Sequence, residues 1–164
     1  MPGAERGGNV VLIGMAYAGK SETGPRLARL LLMEYLDTDL LIQAREGRTL
    51  QQLIDERGVG AFRELEEMHV LSIRVRGHVI ATGGSVVYSD RAMSRLRRDG
   101  TVLFLDVPLH ELESRATGPG TRGLVIGPGM SFADLYRERE PLYRRWADLV
   151  VDAAGAPPQE VALR

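Results

Sequence analysis

Asn9-Val-Val-Leu-Ile-Gly14-Met-Ala-Tyr-Ala-Gly19-Lys20-Ser21 is the stretch that decides the fold. Its first half is a short apolar, β-branched run ending in glycine, the pattern of a parallel strand buried on both faces. Its second half, Gly14-x4-Gly19-Lys20-Ser21, has the spacing of a phosphate-binding loop and opens onto a helical stretch marked by Leu27, Leu30 and Leu31. Glycines let backbone N–H groups close around phosphate oxygens, and the helix N-terminus faces that charge. Lys20 is placed to reach the β- and γ-phosphates, and the Ser21 hydroxyl is placed for Mg²⁺. Pro25 lies past the first turn of this helix, where it removes a backbone donor and predicts a kink or a widened turn.

The lysine carries weight of its own. The chain has 20 arginines and a single lysine, Lys20. Where arginine serves as the generic surface cation, a lone lysine marks a place that a planar guanidinium does not fit. A glycine-rich turn before a helix is the plainer reading, but strand, helix and sole lysine all agree on phosphate binding.

Working outward, 164 residues suit one domain. With 44% hydrophobic and 26% charged residues the chain has an ordinary globular composition. A net charge of −1 argues against bulk attraction to nucleic acid or to an anionic membrane. No apolar run approaches the roughly 20 residues that span a bilayer, and the first eight residues lack the apolar core of a signal peptide and read as a frayed leader. The expected compartment is the cytoplasm. Absence of cysteine excludes disulfides and thiolate chemistry. His69, His78 and His110 are too scattered to suggest a metal cluster and read as surface or partly buried residues.

Strand and helix signals alternate along the rest of the chain. Glu34 to Asp37 reads as a second strand. Leu40 to about Val75 reads as helical, with Thr49 as an N-cap and Gly58 and Gly60 breaking the run into two helices. A third strand, His78 to Thr82, ends at Gly83-Gly84. A helix around Asp90 to Arg98 leads to a fourth strand, Thr101 to Asp106, and a short helix ends near Arg115. Gly118 to Gly129 is rich in turn formers and suits a flap. A helix from Ser131 to about Ala147 precedes a fifth strand, Asp148 to Asp152, and a polar, proline-containing tail. This order predicts an α/β fold with a mostly parallel five-stranded sheet and helices on both faces.

Candidate ligand groups gather at strand ends, where such sheets bind ligands. Asp37-Thr38-Asp39 places two carboxylates two residues apart, pointing different ways. One can hold a metal-bound water while the other accepts a hydroxyl proton, although a solvated acidic turn fits the spacing equally. Gly83-Gly84 permits close approach of a ligand to the backbone and also fits a plain turn. Among the arginines, Arg63, Arg115, Arg122 and Arg139 stand out by context. Arg63 follows Phe62, with Glu66 one turn on to brace it, and Arg122 sits inside the flap. Trp146 and Tyr143 read as core or partial core.

In combination these features resemble the shikimate kinase family, small P-loop kinases of the nucleoside-monophosphate-kinase type. The resemblance runs from about Val10 to Asp152. It is carried by the P-loop, Leu36-Asp37-Thr38-Asp39, Phe62-Arg63-Glu64-Leu65-Glu66-Glu67, Thr82-Gly83-Gly84, Thr121-Arg122 and Arg139-Glu140-Pro141-Leu142-Tyr143. It implies a single domain over residues 1–164, with a helical substrate-binding segment at about 40–75 and a lid at about 116–129. It implies ATP-dependent phosphorylation of the 3-hydroxyl of shikimate, in aromatic amino-acid biosynthesis, by a monomer using Mg²⁺.

Carried over by position, Asp39 holds the reacting hydroxyl, and Ser21 and Asp37 serve the metal. Arg63 and Arg139 clamp the shikimate carboxylate, with Gly83 and Gly84 beside the ring. Gly14, Ala16, Ala18, Gly19, Lys20, Ser21 and Glu22 contact the nucleotide. Arg115 flanks the adenine and Arg122 closes over the phosphates, so that Lys20, Asp39 and Arg122 form the catalytic set. The chain departs from the family at Ser85, where a third glycine is usual, and at Glu22, where threonine is usual. It departs again at Gly123 in the lid and in Asp152-Ala-Ala-Gly155, which lacks a usual arginine. Two other readings remain: a kinase of another small hydroxy acid such as gluconate, and a nucleotide-binding module without turnover.

Overall fold

The computed structural model describes residues 8–117 and 127–164. Strand β1 (Asn9–Ile13) lies at the centre of a five-stranded sheet, and Val11, Leu12 and Ile13 are fully buried. Beside it run β3 (His78–Ala81) and β4 (Gly100–Asp106). The edges are β2 (Glu34–Asp37) on β3 and β5 (Leu149–Asp152) on β4. Every pairing is parallel and the order is β2-β3-β1-β4-β5. The order reverses at β1, so a crevice opens at the strand ends beside it, and the P-loop leaves β1 directly into that crevice.

Helix α1 (Lys20–Leu31) begins from Gly19 in a left-handed conformation, φ 90°, which glycine adopts without steric cost. It runs through Pro25 as one element. The expected helical segment is two helices, α2 (Thr38–Glu46) and α3 (Leu50–Leu71). Thr49 caps α3 as its sequence predicts, in a reciprocal box with Gln52. The run breaks at Gly58 as expected: at φ 82° and ψ 167° it is non-helical, and α3 is two helical stretches joined across that kink, with Gly60 inside the second. Ile42, Leu53, Ile54 and Phe62 form a small core of their own between α2 and α3.

After β3 a 3-10 turn, Val86–Tyr88, leads to α4 (Asp90–Asp99). Helices α5 (Leu109–Ala116) and α6 (Phe132–Trp146) follow β4, with Ser131 capping α6 through a box with Asp134. The flap expected at Gly118 to Gly129 lies outside the described residues as far as 126, as does the leader over 1–7.

Two expectations give way to packing. His69 is buried rather than superficial, with Nε2 2.8 Å from Glu46 and Nδ1 3.3 Å from Arg45, tying α3 to α2. The polar tail is also folded: Ala153, Ala156, Val161 and Ala162 are buried, and α7 (Pro158–Val161) packs beside α1. Its small apolar residues are too sparse for a periodic pattern, so only tertiary contact reveals them. No helix among the described residues is long and apolar enough to cross a membrane.

Candidate active site

A cavity of about 600 Å³ lies at the strand ends, between the P-loop, α2, α3, the Gly83-Gly84 loop and α7. Ala16, Gly19, Lys20, Ser21 and Glu22 form its P-loop wall. Lys20 is buried, and its Nζ donates to the carbonyls of Gly14 at 2.6 Å and Met15 at 2.8 Å. The ammonium is thereby held over the loop that would wrap a phosphate chain. Gly14 and Ala18 shape that loop from beneath, with Ala18 N–H bonded to the Met15 carbonyl.

The two aspartates of the β2 exit have different surroundings, as expected, but the reason is the helix that starts between them, since on an extended chain residues two apart share a face. Asp37 is the N-cap of α2: Oδ1 accepts from the backbone N–H of Asp39 and Leu40, and Oδ2 accepts from Ser21 Oγ at 2.8 Å. Asp39 is on the first turn of α2 rather than on extended chain, and it lines the cavity. The hydroxyl and carboxylate expected to serve a metal are therefore in contact. Among the described residues no group of three or more His, Asp or Glu could hold a metal by itself. Such a pair fits a hard cation that takes its remaining oxygens from phosphate and water.

At the far end Gly83 separates two carboxylates. A Cβ placed there would lie 2.6 Å from Asp39 Oδ1 and 2.6 Å from Glu66 Oε2, so any side chain would push those carboxylates from their places. Gly84 is as closely hemmed, by Arg139 Nη1 at 2.8 Å and Tyr143 Oη at 3.4 Å from such a Cβ. Tyr143 donates to the Gly84 carbonyl at 2.6 Å, and its ring stacks on Phe104. The expectation that Tyr143 belongs to the core holds, and the same residue also pins the glycine loop. Burial pushes its hydroxyl pKa far up, so it stays a donor.

Arg139 is 2% exposed, lines the cavity, and donates from Nε to Tyr88 Oη at 3.3 Å. The Arg63 guanidinium carbon lies 3.8 Å from the centre of the Tyr88 ring, and its buried Nε has no hydrogen-bond partner among the described residues. The brace expected from Glu66 is replaced. Glu66 turns instead to Ser85, whose Oγ donates to Oε1 at 2.5 Å. Burial is the largest influence on Glu66, raising its pKa to about 7, with Ser85, Arg139 and Arg63 pulling it back and Asp39 adding to the rise.

Arg115 lines the cavity, as do Ala156, Pro157 and Pro158. It donates to the Tyr17 carbonyl at 3.0 Å and pairs with Glu111, which in turn accepts from Gly155 N–H. Tyr17 holds a left-handed φ of 69° inside the P-loop, a costly conformation for a side chain of that size, and its ring meets Phe132. Arg122 and Gly123 lie outside the described residues. Glu66, Ser85, Tyr88 and Tyr17 are the site residues that sequence reasoning missed or misassigned. Two of them gave a signal: Glu66, three residues beyond Arg63, and Ser85, as a departure from the family's usual glycine.

A parallel sheet ordered 2-3-1-4-5 with a phosphate-binding loop after its central strand defines a P-loop kinase fold. The likeness to thymidylate kinase from Candida albicans, at a TM-score of 0.57 and 14% identity, shows that fold alone. The sequence model of shikimate kinase matches residues 17–164. A shikimate kinase from Pseudomonas entomophila is 34% identical over 158 residues, covering 94% of this chain and 92% of that protein. Another from Paracidovorax citrulli is 38% identical over 148 residues, covering 87% and 81%. The solved shikimate kinase from Acinetobacter baumannii in complex with shikimate superposes with a TM-score of 0.87 at 29% identity, covering 97% of this chain and 90% of that one. The chain belongs to the shikimate kinase family.

Proposed function

We propose that this kinase transfers the γ-phosphate of ATP to the 3-hydroxyl of shikimate, giving shikimate 3-phosphate and ADP. The observation that carries the reading is the pair Arg63 and Arg139, both gathered on Tyr88: Arg139 lines the cavity, and Arg63 stands behind that lining on the same ring. A small acid lying between that pair and Lys20 would present its carboxylate to two guanidinium forks and its hydroxyl to Asp39. The likeness to a shikimate kinase solved in complex with shikimate supports shikimate as the acceptor.

Each group then has a chemical task. Asp39 accepts the proton of the attacking hydroxyl and fixes its approach. Lys20 and the P-loop N–H groups stabilise charge on the transferring phosphoryl oxygens. Ser21 and Asp37 would hold Mg²⁺, which neutralises phosphate charge when bound. Gly83 and Gly84 give the acceptor ring close access to the backbone. Ala16, Ala18, Gly19 and Glu22 complete the nucleotide wall, and Arg115 with Pro157 and Pro158 takes the adenine.

Arg122 keeps the role the family resemblance gives it, over the phosphates, within a lid at about 116–129. The helical segment at about 40–75, through Asp39 on its approach and Arg63 and Glu66 on α3, belongs to the acceptor. We take residues 1–164 as one domain acting as a monomer in the cytoplasm. The direct test is phosphorus NMR of the product formed from ATP and shikimate. A monoester on the 3-oxygen is expected; phosphorylation at another hydroxyl, or none, would overturn the assignment.

A further inference from the structure

Glu66 is paired in the interior with Ser85, a residue that none of these roles uses. Glu66 comes from α3 and Ser85 from the loop after β3, and each is at most 3% exposed. Ser85 Oγ donates to Glu66 Oε1, while Oε2 is turned toward Gly83 and the Asp39 carboxylate. Five groups surround Glu66: Arg63 on its own helix, Asp39 on α2, Arg139 and Tyr143 on α6, and Ser85 itself. Left to burial and to Asp39, the carboxyl would take up a proton or swing toward the arginines. The serine hydroxyl opposes both, because a donated hydrogen bond favours the charged form and fixes one oxygen in place.

We propose that Ser85 is a positioning residue of the acceptor site: its hydroxyl holds Glu66 with one carboxylate oxygen presented to the cavity beside Asp39. This rests on the acceptor reading above. Ser85 need not touch the acceptor, because it acts through Glu66, which lines the cavity. A hydroxy acid bound there meets two carboxylates across Gly83, one on each side of the glycine, and the serine sets the charge and direction of the second.

The test uses the full chain without ligand, with glutamate side-chain carboxyl carbons labelled, and the Glu66 resonance identified by its loss in Glu66→Gln. Its titration midpoint in Ser85→Ala is expected about half to one pH unit above that of the native chain, a proton held about three- to tenfold more tightly. Ser85→Thr, which keeps the hydroxyl, is expected to return the midpoint toward the native value. If Ser85→Ala does not fold, Ser85→Cys fills the same place with a weaker donor and shifts the midpoint the same way by less. A role in packing alone would lower the melting temperature and leave the midpoint unmoved, which overturns the proposal.

The second reading is the KM for shikimate against pH. In Ser85→Ala its rise toward acid should begin at higher pH, with kcat changed less. A moved midpoint with an unmoved KM profile also overturns the positioning role. A native chain that does not phosphorylate shikimate sinks the acceptor assignment instead, and the carboxyl titration is read independently of that.

Discussion

The guanidinium carbon of Arg63 stands 3.8 Å from the centre of the Tyr88 ring, and that of Arg139 stands 5.3 Å from the same ring. One tyrosine thus gathers two cations from helices far apart in sequence. The face of an aromatic ring attracts a guanidinium by about 0.5–2 kcal/mol, more when water is excluded. Tyr88 also accepts from Arg139 Nε and donates to Glu138, so its hydroxyl relays the α6 surface to the buried arginine.

Removing that ring should loosen the carboxylate clamp without touching the phosphate end. Tyr88→Leu is expected to raise the KM for shikimate about tenfold, from the loss of about 1.4 kcal/mol. Tyr88→Phe keeps the ring and loses the hydroxyl contacts, so its effect should be about threefold. Steady-state kinetics at saturating ATP measure both. A native KM in Tyr88→Leu would show that the arginines hold their places without it.

In the proposed reaction Lys20 and Asp39 act on the reacting atoms, so their loss should fall on turnover. Lys20→Ala is expected to lower kcat by about 10² or more, and Asp39→Asn by a similar factor. Pre-steady-state phosphoryl transfer distinguishes this from slow product release. Near-native kcat in Asp39→Asn would remove Asp39 as the group that takes the hydroxyl proton.

Glu66 makes stability depend on pH in a definite direction. Its pKa of about 7 in the folded chain lies above the ordinary 4.5, so between those values the folded state binds the extra proton. Stability from this group is fully present below about pH 4.5 and is lost as pH rises to about 7. Glu66→Gln removes that dependence. In urea titrations the variant should gain on the native chain across that interval and hold a constant difference above it. A difference independent of pH would mean that Glu66 is charged throughout.

Legibility in the sequence followed the length scale of each interaction. Asn9 to Ser21 specified strand, loop and helix because each rests on local pattern and backbone geometry. Thr49 and Ser131 announced their helices for the same reason, since a cap is satisfied within four residues. Arg139 received its role only through the family resemblance, because among 20 arginines its burial against Tyr88 is a tertiary fact. Tyr88 and the α7 wall carried no local signal, and Ser85 stood out only as a departure from the family's third glycine: its partner Glu66 lies 19 residues away in sequence. The expected Arg63–Glu66 brace failed for the same reason, since helical spacing permits that pair but cannot weigh it against a serine from another element.

In the proposed reaction a small carboxylic acid is held by Arg63 and Arg139 while Asp39 addresses its hydroxyl. The most direct measurement is ADP release with shikimate, quinate, gluconate and nucleoside monophosphates as acceptors, in the native chain and in Arg63→Ala and Arg139→Ala. Each arginine should contribute about 2 kcal/mol through charge-assisted hydrogen bonds that are alike in ground and transition states. The account predicts shikimate as the preferred acceptor, a KM for it raised about 30-fold in each variant, and little change in the KM for ATP. Preference for another acceptor, or an unchanged shikimate KM in both variants, would contradict it and leave the P-loop kinase fold standing alone.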